Sequence, residues 1–141
     1  MGKGRQGIPS KEVEDFIQNY VTVRRTPFSD AQIVKRVLYP LVNEGFKCLE
    51  EGIARQPSDI DVVYVYGYGW PIYRGGPMYW ADHEVGLNKL LTDLSELSLQ
   101  FPTTEYFVPS KLLEKCVALD MTVQSYYESG LHKTDPAISK L

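Results

Sequence analysis

Two carboxylates at Asp59 and Asp61, and an imidazole at His83 directly after Asp82, are the residues in this chain whose types and spacing suit general acid–base chemistry. In each case a structural role explains them more simply. Asp59 and Asp61 follow Pro57-Ser58 at the start of a helical segment, where negative side chains complement the positive end of the helix. His83 has no Ser or Cys nucleophile in a recognisable setting nearby, so it reads as a surface histidine. Glu44, Glu50 and Glu51 read as a solvated face. Arg74 beside Gly75-Gly76 has the chemistry to grip a phosphate, but one guanidinium without neighbouring Lys or Arg is a weak anion site and serves better in an interface or a cap. Cys48 and Cys116 sit among apolar neighbours at helical spacing and read as buried thiols. With two histidines and no CxxC, no metal site is indicated.

Dinucleotide chemistry is not indicated either. No G-x-G-x-x-G turn joins a strand to a helix, and Gly67-Tyr68-Gly69 begins like one but lacks the spaced third glycine. The sequence therefore assigns no catalytic residue, no cofactor ligand and no metal ligand to this chain.

What it does assign is a shaped loop. From Gly67 to Asp82 the chain reads G-Y-G-W-P-I-Y-R-G-G-P-M-Y-W-A-D. The glycines permit positive φ or close backbone approach, Pro71 and Pro77 fix φ, and the rings need something to pack on. Tyr68, Trp70, Pro71, Tyr73, Arg74, Gly75, Gly76, Pro77 and Trp80 are accordingly the candidate interface or shaped-loop residues. A flexible linker would be Gly/Ser-rich and poor in aromatics.

The elements that position this loop read as helices. Val13, Phe16, Ile17 and Tyr20 recur at i, i+3, i+4 and i+7, an amphipathic helix. Ser29 with Gln32 forms a capping-box pattern, and Ile33, Val34, Val37, Leu38, Leu41, Val42, Phe46 and Leu49 then give a broad apolar face ending at Gly52, with Pro40 expected to kink the helix. The β-branched stretch Asp59–Tyr66 suits a strand, yet Pro57, the Ser58/Asp61 pair and the stop at Gly67 punctuate a helix. Pro77 opens a short helix, Leu87–Leu97 forms another stopped before Pro102, Pro109-Ser110 starts a further one, and Thr122–Tyr127 adds a last turn or two. The expectation is an all-α fold of about six helices, divided into a 1–28 extension, a 29–130 domain and a 131–141 tail.

The ordered combination of a long proline-containing helix, a polar break at Pro57-Ser58-Asp59-Ile60-Asp61, a second helix, then G-Y-G-W-P and G-G-P-M resembles the C-terminal helical domain of the L-3-hydroxyacyl-CoA dehydrogenases. It is most similar to the second copy of that domain, found at the C-terminus of the bifunctional enzymes of peroxisomal fatty-acid β-oxidation. The resemblance implies that NAD and the catalytic His–Glu pair belong to a separate Rossmann domain, so this chain alone is expected neither to bind NAD nor to oxidise substrate. It also implies a homologous helical domain as partner, by self-association or within the bifunctional enzyme; the alternative reading is a free-standing peroxisomal module that binds acyl-CoA or a partner enzyme. An active copy carries an Asn before the Arg of the long helix, whereas here Lys35 precedes Arg36, and Lys lacks the amide's acceptor.

Composition is consistent with that reading. The 141 residues are 43% apolar, enough for one core, and a net charge of −3 with scattered Lys and Arg gives no footprint for nucleic acid. No apolar run approaches the ~20 residues of a membrane span, and the first residues lack the apolar stretch of a secretory signal. Ser139-Lys140-Leu141 at the C-terminus reads as a peroxisomal address, recognised by the import receptor and directing the chain to the matrix.

Overall fold

The computed structural model describes residues 8–20 and 27–135, and among them there are α-helices and no strand. The helices are α1 (Lys11–Tyr20), α2 (Asp30–Glu50), α3 (Pro57–Gly67), α4 (Pro77–Trp80), α5 (Leu87–Gln100), α6 (Lys111–Ala118) and α7 (Val123–Glu128). A π-helical turn, Ala81–Val85, joins α4 to α5, and 3₁₀ turns cover Ile72–Arg74 and Leu131–Lys133. None of the described helices is long and apolar enough to cross a membrane.

The long helix α2 is the spine, in contact with α3, α4, α5 and α6. It starts on the Ser29–Gln32 capping box, with both reciprocal hydrogen bonds present at 3.3 and 3.0 Å, and it runs on through Pro40. Its second half is buried. Val42, Phe46 and Leu49 meet Leu90 and Leu94 of α5, Leu112, Leu113 and Cys116 of α6, and Val123 and Tyr126 of α7. Each such side chain contributes roughly 1.5–3 kcal/mol by leaving water, so this seam holds the domain together. The fully buried Asn43 fixes the α5–α6 connection to the spine. Its Nδ2 donates to Val108 O at 2.7 Å and its Oδ1 accepts from Ser110 N at 2.9 Å, a neutral pair of bonds that satisfies an otherwise costly buried amide.

The segment Asp59–Tyr66 is helical, as its punctuation predicts. The capping residues differ from those expected. Gln56 is the N-cap, Pro57 is the first helical residue, and Asp59 is the reciprocal partner, accepting from Gln56 N at 3.3 Å. Ser58 therefore lies inside the first turn, one residue beyond Pro57, and Asp61 is free to bond elsewhere.

Candidate functional site

The shaped loop is built from α3 outward. The N–H groups of Tyr68 and Trp70 both donate to Tyr64 O, at 3.2 and 3.0 Å, so the Gly67-Tyr68-Gly69 turn folds back on its own helix. After Pro71 a 3₁₀ turn leads to Gly75 and Gly76, at φ +74° and +106°. A side chain at Gly75 would strike the Tyr79 ring, and one at Gly76 would strike the Asp61 carboxylate. The paired glycines thus bring the start of α4 against α3.

Asp61 is the reason for that close approach. It accepts from Met78 N at 2.7 Å and from Tyr79 N at 3.3 Å, capping α4, a helix too short to stand alone. Burial pushes its carboxyl up to about 6, against the lowering effect of the two N–H donors and with a further rise from the charge of Asp82. Asp82 repeats the arrangement one step on. It accepts from Val123 N at 3.0 Å and Gln124 N at 3.2 Å and caps α7, with its own carboxyl raised, first by burial. Glu50 does the same for α6, accepting from Ser110 Oγ at 3.1 Å and from Leu112 N. The sequence reading is corrected at two points. Asp61 serves the next helix, not the dipole of its own, and Glu50 is a half-buried cap, not part of a solvated face. Each cap sits 17 to 62 residues from its amides, a separation that local patterns do not register.

The loop has an inner and an outer layer. Gly76, Pro77 and Met78 are buried, and Trp80 is 7% exposed, edge-on to Trp70 with ring centroids 5.8 Å apart. Trp70 is half-buried and also meets Tyr64 edge-on. Tyr68, Pro71, Ile72 and Tyr73 face outward, Tyr73 at 80% exposure. Arg74 lies over the Tyr73 ring and is ion-paired with Glu84, so its charge has a partner within the domain. His83 is exposed and stacks on Tyr79. The thiols of Cys48 and Cys116 are free. Cys116 is buried and pushed up to about 12 by burial, while Cys48 is half-buried. The tripeptide Ser139-Lys140-Leu141 lies outside the described residues.

Around this loop the apolar surface is unfinished. The first half of α2 leaves Ile33, Val34 and Val37 exposed, and α3 is apolar on nearly every side yet buries only Pro57, with Val62 and Val63 about half exposed and Tyr66 at 82%. Between α2 and α3 runs a groove of about 650 Å³ lined by Val34, Leu38, Leu41, Tyr64, Tyr68 and Trp70.

Comparison with known proteins now bears on this arrangement. The sequence profile of the 3-hydroxyacyl-CoA dehydrogenase C-terminal domain matches residues 32–128. The chain belongs to that family. Relatives include the peroxisomal bifunctional enzymes of Danio rerio, 39% identical over 81% of this chain, and of Cavia porcellus, 45% identical over 79%. The glyoxysomal fatty acid beta-oxidation multifunctional protein MFP-a of Cucumis sativus is 36% identical over 70%. The chain spans only 17%, 16% and 14% of the length of these three relatives. Within this 3-hydroxyacyl-CoA dehydrogenase C-terminal domain, Lys35 stands on α2 directly before Arg36. Its Nζ donates to Asp93 at 2.5 Å, and Lys89 donates to the same carboxylate at 2.6 Å. Burial alone would raise Asp93, but the hydrogen bonds and charges of the two lysines hold it below the ordinary carboxylate range. Lys35 is thereby tied to α5.

Proposed function

We propose that the chain is a non-catalytic helical domain of a fatty-acid β-oxidation 3-hydroxyacyl-CoA dehydrogenase or bifunctional enzyme. Its role is to pack against a homologous helical domain and to support the acyl-CoA side of the active site. The observation that carries this reading is α3, an almost wholly apolar helix held on the surface with Val62, Val63 and Tyr66 outward, continuous with Ile72 and Tyr73 of the shaped loop. The inward tie of Lys35 to Asp93 supports the non-catalytic part. On this reading hydride transfer, NAD and the catalytic His–Glu pair lie outside this chain. The relatives' peroxisomal and glyoxysomal names, with Ser139-Lys140-Leu141, support a peroxisomal address, and one residue added after Leu141 should abolish import.

Sedimentation velocity on the purified chain tests the packing role. Self-association is expected. The double variant Val62→Asp, Tyr66→Asp should weaken it by about 2 kcal/mol or more, roughly 30-fold in Kd, with no fall in melting temperature. A wild-type chain that stays monomeric at high concentration overturns the reading. The alternative, a free-standing acyl-CoA-binding module, draws on the groove beside Trp70 and Arg74. Saturable quenching of tryptophan emission by an acyl-CoA would favour it.

A further inference from the structure

On its other side α3 borders a second groove, of about 490 Å³, walled by Val62, Val65 and Tyr66 of α3, Ile72 of the shaped loop and Tyr79 of α4. Val62, Tyr66, Ile72 and Tyr79 are each at least half exposed, so this groove opens on the surface assigned above to domain packing. Two carboxylates, Asp61 and Asp82, line it together, and no Lys or Arg among the described residues does. The charged groups of the surrounding elements are engaged elsewhere. Asp59 of α3 accepts from the N–H groups of Arg55 and Gln56, Arg74 and Glu84 pair with each other, and Glu128 of α7 accepts from the Gln124 amide. His83 lines the groove and stacks on Tyr79, and α2 contributes no residue to it.

The two carboxylates are held differently. Asp82 gives one oxygen to each of two amides, Oδ1 to Val123 N at 3.0 Å and Oδ2 to Gln124 N at 3.2 Å, so a proton on either oxygen displaces an N–H at the start of α7. Asp61 turns Oδ1 to Met78 N at 2.7 Å and to Tyr79 N at 3.4 Å, while Oδ2 meets only Tyr79 N, at 3.3 Å. A proton on Asp61 Oδ2 therefore leaves Oδ1 as acceptor for both amides. A domain seated on Val62, Tyr66 and Ile72 covers the groove and takes water from two like charges with no cation to offset them. A carboxylate desolvated in this way avoids the cost by binding a proton, and of a close pair only one needs to do so. Resting on the packing role proposed above, we propose that docking of a homologous helical domain over this groove takes up one proton at Asp61, so that the interface tightens as the solution becomes more acidic. Burial and the charge of Asp82 already push Asp61 up to about 6 in the uncovered domain, and the charge of His83 favours the ionised form of Asp82.

Two measurements on the full chain test it, both at high ionic strength to screen the net charge. In sedimentation velocity the Kd of self-association should fall roughly five- to tenfold from pH 7 to pH 5. Calorimetric dilution at pH 7, in buffers of different ionisation enthalpy, should show proton release as the chains part. Asp61→Asn keeps Oδ1 as an acceptor and cannot ionise, so its Kd should not change with pH and at pH 7 should lie close to that of the wild type at pH 5. His83→Gln, at a residue outside every cap, should keep the wild-type dependence, and it serves as the variant test if Asp61→Asn does not fold. Association without proton uptake, a dependence lost in His83→Gln, or one retained in Asp61→Asn overturns this proposal and leaves the packing role standing. A wild-type chain that is monomeric at every pH overturns both.

Discussion

The two ends of α2 carry similar apolar residues to opposite effect. From Val42 to Leu49 they are sealed under α5, α6 and α7, while from Ile33 to Val37 they remain in water, continuous with the apolar outer side of α3. The difference lies in what surrounds them, not in the helix itself. Glu50 and the Asn43 bridge lock the α6 end onto the second half, whereas the first half is tied to α5 by the partly exposed Lys35–Asp93 ion pair and leaves its apolar side chains uncovered. One end is finished as a core and the other leaves its apolar side chains in water.

The contrast is broken most strongly by truncating a large side chain at each end. Phe46→Ala should cost about 3–5 kcal/mol in chemical denaturation, because it opens a cavity in a fully buried site, whereas Val37→Ala should change stability by less than about 0.5 kcal/mol. Similar losses at the two positions would mean that the exposed end is already packed in the isolated chain. A smaller effect is expected from Asp61→Ala. It strands the Met78 and Tyr79 N–H groups at the start of α4 and should cost about 1–3 kcal/mol in the same measurement, with the loss concentrated in the shaped loop by hydrogen exchange.

The smallest effect is one of pH. Because the folded-state pKa of Asp61 is raised above its unfolded value, the native chain binds the extra proton. The contribution of this group to stability is therefore greatest when protonated and declines as pH rises from about 4 through about 6. Asp82, raised by the same cause, adds in the same sense, and Asp93, held low, matters only in more acidic solution. The melting temperature should rise modestly between pH 7 and pH 5, and Asp61→Asn should flatten that slope. An unchanged slope in the variant would place its origin elsewhere.

Much of the fold was legible in the sequence because it is local. The capping box at Ser29, the proline at the start of α3, the period of Leu87–Leu97 and the Thr122 start of α7 all act within a few residues. The glycine pair was legible as a place of close approach, but not the reason for it, since the Asp61 carboxylate arrives from another helix. Glu50 and Asp82 escaped for the same reason. A carboxylate in an amphipathic pattern looks solvated until the amides it serves are brought to it. Lys35 was visible as a departure at a family position, while its tie to Asp93 depends on α5 crossing α2. Of the loop residues, the sequence singled out aromatic rings without dividing them. Trp80 proved to be core, Trp70 half-buried and Tyr73 exposed.

The three long-range caps also share a direction along the chain. Glu50 precedes Ser110 and Leu112, Asp61 precedes Met78 and Tyr79, and Asp82 precedes Val123 and Gln124. In each case the acceptor leaves the ribosome before the donors that need it. During synthesis, α4, α6 and α7, of four, eight and six residues, emerge to find their N-terminal anchor already in place, whereas none is long enough to persist unaided. Each short helix thus takes an N-terminal acceptor from a part of the chain made earlier, in α6 and α7 beside the local caps Ser110 and Thr122.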